Sequence, residues 1–148
     1  MGSIRGIAEL VLNVRDIAAM ERFYTGVLGL AVHSRHPETD PTIVFIATAD
    51  LEPPFGLGHP QVLALIDPAR HPPAIGRFDA PERRRSTLNH FAFEIDAADH
   101  DAEVDRLNGL GIETELVKFP HMRAKAIFFR DPEDNTVELI CHDRPMGG

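Results

Sequence analysis

The sequence predicts an α+β fold: two tandem βαβββ modules forming a cup-shaped, eight-stranded mixed sheet with helices on its outer face. Three observations predict it. Strand and helix signals recur in the same order twice along 148 residues. The run Glu9-Leu-Val-Leu-Asn-Val14 overlays His90-Phe-Ala-Phe-Glu-Ile95, and Val62-Leu-Ala-Leu-Ile66 overlays Thr136-Val-Glu-Leu-Ile140. Between the copies, residues 67–86 hold four prolines and little apolar periodicity, which reads as a linker. One domain over residues 1–148 is expected, with a first module at 5–66 and a second at 87–143.

The elements follow in order. Residues 7–14 alternate Leu, Val and Ile with other residues, as a half-buried strand does. Asp16 is a good N-cap, and Ile17, Met20, Phe23 and Val27 then recur at helical spacing until Gly29 stops the run. Strands are expected at 31–35, 42–47 and 61–66, separated by loops carrying Pro37, Pro41, Pro53, Pro54 and Gly58. The second copy places a strand at 88–95 and a helix at 101–110 with Val104, Leu107 and Leu110 on one stripe. Its remaining strands are expected near 113–117, 124–129 and 136–141.

Composition narrows the function classes. The chain is 43% hydrophobic and 26% charged, which suits a folded globular domain and excludes wholesale disorder. Fifteen basic against twenty-three acidic side chains leave a net charge of −8, which disfavours a nucleic-acid surface. The triplet Arg83-Arg84-Arg85 is the one basic cluster and reads as a solvated loop. No apolar run has the length of a membrane span, and neither an export nor a myristoylation signal is read at the start. Cys141, the single cysteine, has no internal disulfide partner, which fits a cytoplasmic protein.

Period-two alternation puts Leu10, Leu12 and Val14, like Phe91, Phe93 and Ile95, on the face that packs under a helix. The opposite face reads Glu9, Val11, Asn13 in one copy and His90, Ala92, Glu94 in the other, a mixture suited to a cavity lining. Glu138 lies on the last strand. Glu9, His90 and Glu138 each stand among apolar neighbours, where an unpaired carboxylate costs several kcal/mol. A divalent cation of the Mn, Fe, Co, Ni or Zn kind would offset that cost, because it accepts carboxylate oxygen and imidazole nitrogen together. A water-filled cleft around the two carboxylates, with a hydrogen-bonded His90, would serve as well.

The opening run Glu9 to Asp16, then Phe23-Tyr24 and Val27-Leu28-Gly29-Leu30, resembles the start of the vicinal oxygen chelate superfamily. His90-Phe-Ala-Phe-Glu-Ile95 and Arg130-Asp-Pro-Glu-Asp-Asn-Thr-Val-Glu-Leu139 are similar to its closing half, so the resemblance spans nearly the whole chain. Members include glyoxalase I, methylmalonyl-CoA epimerase, extradiol dioxygenases, fosfomycin-resistance thiol transferases and metal-free bleomycin-binding proteins. The resemblance implies a cup around one divalent metal, with ligands from Glu9, His90 and Glu138, and a homodimer. It also implies catalytic roles for the carboxylates Glu9 and Glu138. The sequence departs from the family pattern at Ala64, where glyoxalase I and the epimerase have a fourth ligand. It also has Glu9 where dioxygenases and fosfomycin enzymes place His, lacks the extradiol Tyr before the last ligand, and has Asp134 where the signature turn carries Gly.

Asn13 on the cavity face, with His121 and Arg123 before the penultimate strand, are the expected substrate-binding residues, the last as a fork for a carboxylate. His33, His36, His59 and His71 read as surface residues, Tyr24 as packing, and Cys141 as facing away from the cup. Three functions follow. The first is a metal-dependent glyoxalase/dioxygenase-type enzyme acting on a small oxygen-chelating substrate. The second is a metal-free protein that sequesters a small molecule or antibiotic. The third is an interaction module with a vestigial cup.

Overall fold

The computed structural model describes residues 6–54, 56–72 and 88–144. The chain divides into two units, the first within residues 1–83 and the second within 84–148. Each contains a βαβββ sequence of elements and one four-stranded mixed sheet. Among the described residues, no helix is long and apolar enough to cross a membrane.

Unit 1 begins with β1 (Glu9–Asn13) and enters α1 (Ile17–Arg22) through Asp16, whose carboxylate accepts the Ala19 N–H at 2.9 Å. Ile17 and Met20 are buried, and a π-helical turn over Phe23–Val27 buries Phe23 and Tyr24 in turn. The sequence predicted one regular helix as far as Gly29. The wider turn arises where the Thr25 hydroxyl donates to the Glu21 carbonyl at 2.8 Å, a carbonyl that a regular helix gives to the Thr25 N–H. Gly29, at φ +71°, then turns the chain into β2 (Ala31–His36).

β3 (Ile43–Ala47) and β4 (Val62–Ile66) are rich in Val, Ile and Leu and almost wholly buried, as central strands should be. The strand order is β1-β4-β3-β2, with β1 parallel to β4 and the other pairs antiparallel. Leu12, Leu63 and Leu65 are buried, and α1 packs on β3 and β4. A bulge between Val32 and Ser34 sets Ser34 opposite Phe45 and His36 opposite Ile43.

Unit 2 repeats the plan with β5 (Phe91–Glu94), α2 (His100–Gly109), β6 (Glu115–Phe119), β7 (Ala124–Arg130) and β8 (Thr136–His142). Its order is β5-β8-β7-β6, with β5 parallel to β8. The duplication extends to register. Val11 pairs with Ala64 and Ala64 with Phe45, while Ala92 pairs with Glu138 and Glu138 with Phe128.

The structure corrects several expectations. His90 lies just before β5, and β8 runs one residue further than predicted, to His142. Leu110 is not on the buried stripe of α2: it closes the helix, 56% exposed, before Gly111 turns at φ +75°. The expected linker begins with ordered contacts. The Asp67 N–H donates to the Thr42 carbonyl, and Arg70 bridges Asp67 at 2.7 Å and Asp40 at 3.1 Å. Residues 73–87, including Arg83-Arg84-Arg85, lie outside the described residues.

Asp134 adopts φ +65°, so the closing turn keeps the left-handed conformation that glycine usually supplies. Asp131 holds the turn, accepting from the Glu133 N–H at 2.9 Å and the Asn135 N–H at 3.0 Å.

Candidate functional site

In each sheet the face turned away from the helix can be read across the ladders. In unit 1 the central row is Val11, Ala64, Phe45, Ser34; in unit 2 it is Ala92, Glu138, Phe128, Glu115. Glu138 is thus a carboxylate placed in the middle of a sheet, flanked by alanine and phenylalanine, and only 4% exposed. A charge so placed needs a partner.

The partner is His90, whose Nε2 lies 3.0 Å from Glu138 Oε2. Its ring stands edge-on to Phe128, with centroids 5.5 Å apart, and its Nδ1 lies 2.6 Å from Asn89 Oδ1. Both ring nitrogens therefore face oxygen acceptors. A neutral imidazole has one N–H and can satisfy one of them. With the Nδ1–H donated to Asn89, the lone pair of Nε2 would oppose the carboxylate unless a positive charge lies there, either a proton or a metal ion. Imidazole nitrogen and carboxylate oxygen 3.0 Å apart also suit two neighbouring ligands at about 2.0–2.2 Å from one ion. An acceptor for the N–H of the far ring nitrogen, as Asn89 Oδ1 provides, is the usual support of a metal-bound histidine. This donor set fits a divalent ion.

Glu9 and Asn13 are at the two ends of β1, both exposed. The expectation that Glu9 stands among apolar neighbours is corrected: the desolvation cost falls on Glu138 alone, because Glu9 reaches solvent. Ala64, at the matching position to Glu138, is fully buried. Among the described residues, no group of three His, Cys, Asp or Glu side chains is gathered to hold an ion.

His121 is exposed in a short 3₁₀ turn over Pro120–Met122, and Arg123 follows at φ +51°. The Arg123 fork is already engaged, with Nε donating to Asp143 Oδ1 at 2.7 Å and Nη2 donating to Oδ2. That pairing holds the Asp143 carboxyl below its ordinary range. Arg123 lines a cleft of about 430 Å³ with Lys118, Lys125, Asp143 and Cys141, and neither His90 nor Glu138 belongs to it. Arg123, expected to bind substrate, thus lines a separate cleft. Cys141 is buried on the face of β8 opposite Glu138, as its place in the alternation predicted. Tyr24 is fully buried and packs edge-on against Phe23, a packing role as expected.

A cleft of about 550 Å³ opens beside the central row of unit 2, lined among others by Glu115, Phe128, Arg130 and Thr136. Sequence reasoning missed a second carboxylate–imidazole pair on the same face, with His142 Nδ1 2.8 Å from Glu94 Oε1. Alternation already placed Glu94 on that face. Extending β8 by one residue would have added His142.

Comparison with known proteins gives the same fold. The sequence matches the Glyoxalase/Bleomycin resistance protein/Dioxygenase superfamily over residues 6–139. No curated protein matches it. Among solved structures, lactoylglutathione lyase from Agrobacterium tumefaciens is similar at a TM-score of 0.68 and 26% identity, over 95% of this chain and 96% of that one. The antibiotic-binding protein TnmS3 from Streptomyces sp. CB03234 shares the fold at 0.66 and 18%, over 97% and 100%. So does fosfomycin resistance protein FosX from Listeria monocytogenes, solved as a mutant with Mn(II) and 1S,2S-dihydroxypropylphosphonic acid, at 0.61 and 19%, over 92% and 89%. With the duplicated modules, the matching register and the family match over nearly the whole sequence, the chain belongs to the Glyoxalase/Bleomycin resistance protein/Dioxygenase superfamily.

Proposed function

We propose that this chain is a divalent-metal-dependent enzyme of the glyoxalase/dioxygenase type, acting on a small substrate that presents neighbouring oxygens. The observation that carries the reading is the double engagement of His90, between Asn89 Oδ1 and the buried carboxylate of Glu138. His90 and Glu138 would hold the ion, one of Mn, Fe, Co, Ni or Zn, with Glu9 the third ligand that the family resemblance implies, and when bound it supplies Lewis-acid polarisation of the substrate oxygens.

The chain's own residues divide the remaining work. Asn89 fixes the imidazole so that Nε2 stays directed at Glu138. Glu138, screened from water by its neighbours, would attract a bound cation strongly. Glu9, being exposed, is the carboxylate that can exchange a proton with solvent, as a general base must between turnovers. Asn13 offers an amide to the substrate from the other end of β1. Arg123, whose fork is held by Asp143, and His121, two residues before it, are the proposed contacts for an anionic group of the substrate. A homodimer in the cytoplasm completes this reading, on the family resemblance and the lone cysteine.

A second reading, a metal-free small-molecule or antibiotic binder, is favoured by one observation: apolar Ala64 fills the row position that Glu138 fills in the other unit. Metal content separates the two. The wild-type protein, reloaded with Mn, Fe, Ni or Zn and dialysed, is expected to hold near-stoichiometric ion by plasma mass spectrometry, with Glu138→Ala and His90→Ala holding none. Retention of the ion by both variants would overturn the ligand assignment. A wild type that takes up no ion would transfer the assignment to the binder.

A further inference from the structure

Lys118 and Lys125 stand directly opposite each other in the β6–β7 ladder, and Cys141 of β8 continues their row on the helix-facing side of the sheet. α2 packs on β7, while Leu116, two residues before Lys118 on the same side of β6, is 56% exposed. The cleft of about 430 Å³ opens on this side. Both lysines line it, with Arg123, Asp143 and apolar Ala97, Pro120 and Ala124 around them.

Two like charges directly opposite on one face of a sheet repel each other. Here they are ammonium groups in a chain whose net charge is −8. Asp143, the carboxylate of the cleft, accepts both hydrogen bonds of the Arg123 fork, so that pair is neutral by itself. Among the described residues neither lysine has an ion-pair partner. Asp101, at the start of α2, feels Lys125 from outside the cleft: its carboxyl is held below its ordinary range first by the bond to His100 and then by the lysine charge. Being 91% exposed, it is screened by water and leaves the cleft side of Lys125 unmatched.

Opposed residues of an antiparallel pair lie about 5 Å apart at their Cα atoms, so two lysine side chains can converge on one group that offers several oxygens. We propose that this cleft binds a phosphate group, free or as the monoester of a small organic molecule, between Lys118 and Lys125. The site goes beyond the function proposed above. It uses the lysines and leaves the Arg123–Asp143 pair intact. Cys141 is on the face of β8 opposite Glu138, so a ligand here does not touch the ion-binding dyad.

The test is isothermal titration calorimetry of chelator-treated protein, in phosphate-free buffer at low salt, with sodium phosphate and separately with phenyl phosphate. Saturable binding is expected, weakened about fivefold or more in Lys118→Gln and in Lys125→Gln, as loss of one charged hydrogen-bond donor requires. His90→Ala, on the other face, is expected to bind within about twofold of wild type. Benzoate, a flat monoanion, should bind at least about fivefold more weakly than phenyl phosphate, having one charge for two ammonium groups. Without anion, each lysine variant is expected to melt no lower than wild type, because a repulsion has been removed. Tighter binding of phenyl phosphate assigns the site to a monoester, and tighter binding of sodium phosphate to the free ion. No saturable binding of either, unchanged affinity in both lysine variants, benzoate binding as tightly as phenyl phosphate, or an equal loss in His90→Ala would overturn the site.

Discussion

Ala64 and Glu138 occupy the same point of two matching ladders, each paired with a phenylalanine of the neighbouring antiparallel strand, Phe45 and Phe128. One position is apolar and fully buried; the other holds a buried carboxylate opposite an imidazole. A duplicated backbone therefore supports two chemistries at one register position, and the surrounding rows have diverged with it.

The His90–Glu138 pair makes an energetic prediction that does not depend on turnover. In the metal-free protein, His90→Ala leaves a buried carboxylate facing alanine and phenylalanine, and is expected to cost about 1–3 kcal/mol. Glu138→Leu removes the charge with its burial cost, and is expected to change stability by less than about 1 kcal/mol. Urea denaturation of both variants and of the double variant checks the order. A Glu138→Leu protein less stable than His90→Ala would contradict it.

Introducing a carboxylate at the other end of the comparison should have the opposite consequence. Ala64 has no exposed surface and no imidazole beside it in its row. Ala64→Glu is therefore expected to destabilise the fold by about 2–5 kcal/mol, through burial of an unpaired charge and overpacking between Val11 and Phe45. Thermal unfolding followed by circular dichroism gives the measurement.

The turn before β8 carries a small correctable strain. Asp134 holds φ +65°, a conformation costly for most side chains and free for glycine. Asp131 holds the turn through its own carboxylate, so the backbone bonds survive a change at 134. Asp134→Gly is expected to stabilise by about 0.5–1 kcal/mol, the left-handed penalty outweighing the added freedom of the unfolded chain. A lower urea midpoint in the variant would refute this.

Acid should loosen the segment that follows β4. The Asp67 carboxyl is held below its ordinary value of 3.8, first by the hydrogen bond from Arg70 and also by the Ala69 N–H. The unfolded chain therefore takes up this proton before the folded one does. The contribution to stability is complete above about pH 4 and is lost as the pH falls through the folded value. Asp67→Asn is expected to be less stable than wild type at pH 6 and to lose less stability between pH 4 and pH 2, as read by urea midpoints at each pH.

The thiol offers a check on the sheet itself. Cys141 is 1% exposed on the helix-facing side of β8. A disulfide reagent such as dithionitrobenzoate should react with the folded protein at least about a hundredfold more slowly than with the unfolded one, since a buried thiol reacts only on opening. Comparable rates would mean that β8 opens readily or is placed otherwise.

The amino-acid sequence by itself determined the duplicated βαβββ plan, the helix-facing residues Leu10, Leu12, Phe91 and Phe93, and the placing of Glu138 and Cys141 on opposite faces of one strand. These are local properties: alternation has period two, caps act within a turn, and a repeated pattern is visible without knowing what it packs against. What sequence reasoning misjudged depends on neighbours brought in from elsewhere. Arg123 was expected to be free for a substrate and is engaged by Asp143, twenty residues away; His36 and His59 read as scattered surface histidines and converge on Phe45. Glu9 and Glu138 looked alike in the chain, yet one is exposed and the other buried. Only the tertiary structure decided these points, because desolvation and ion pairing are set by what other strands place within a few ångströms, and one strand's pattern carries no record of its partner's register.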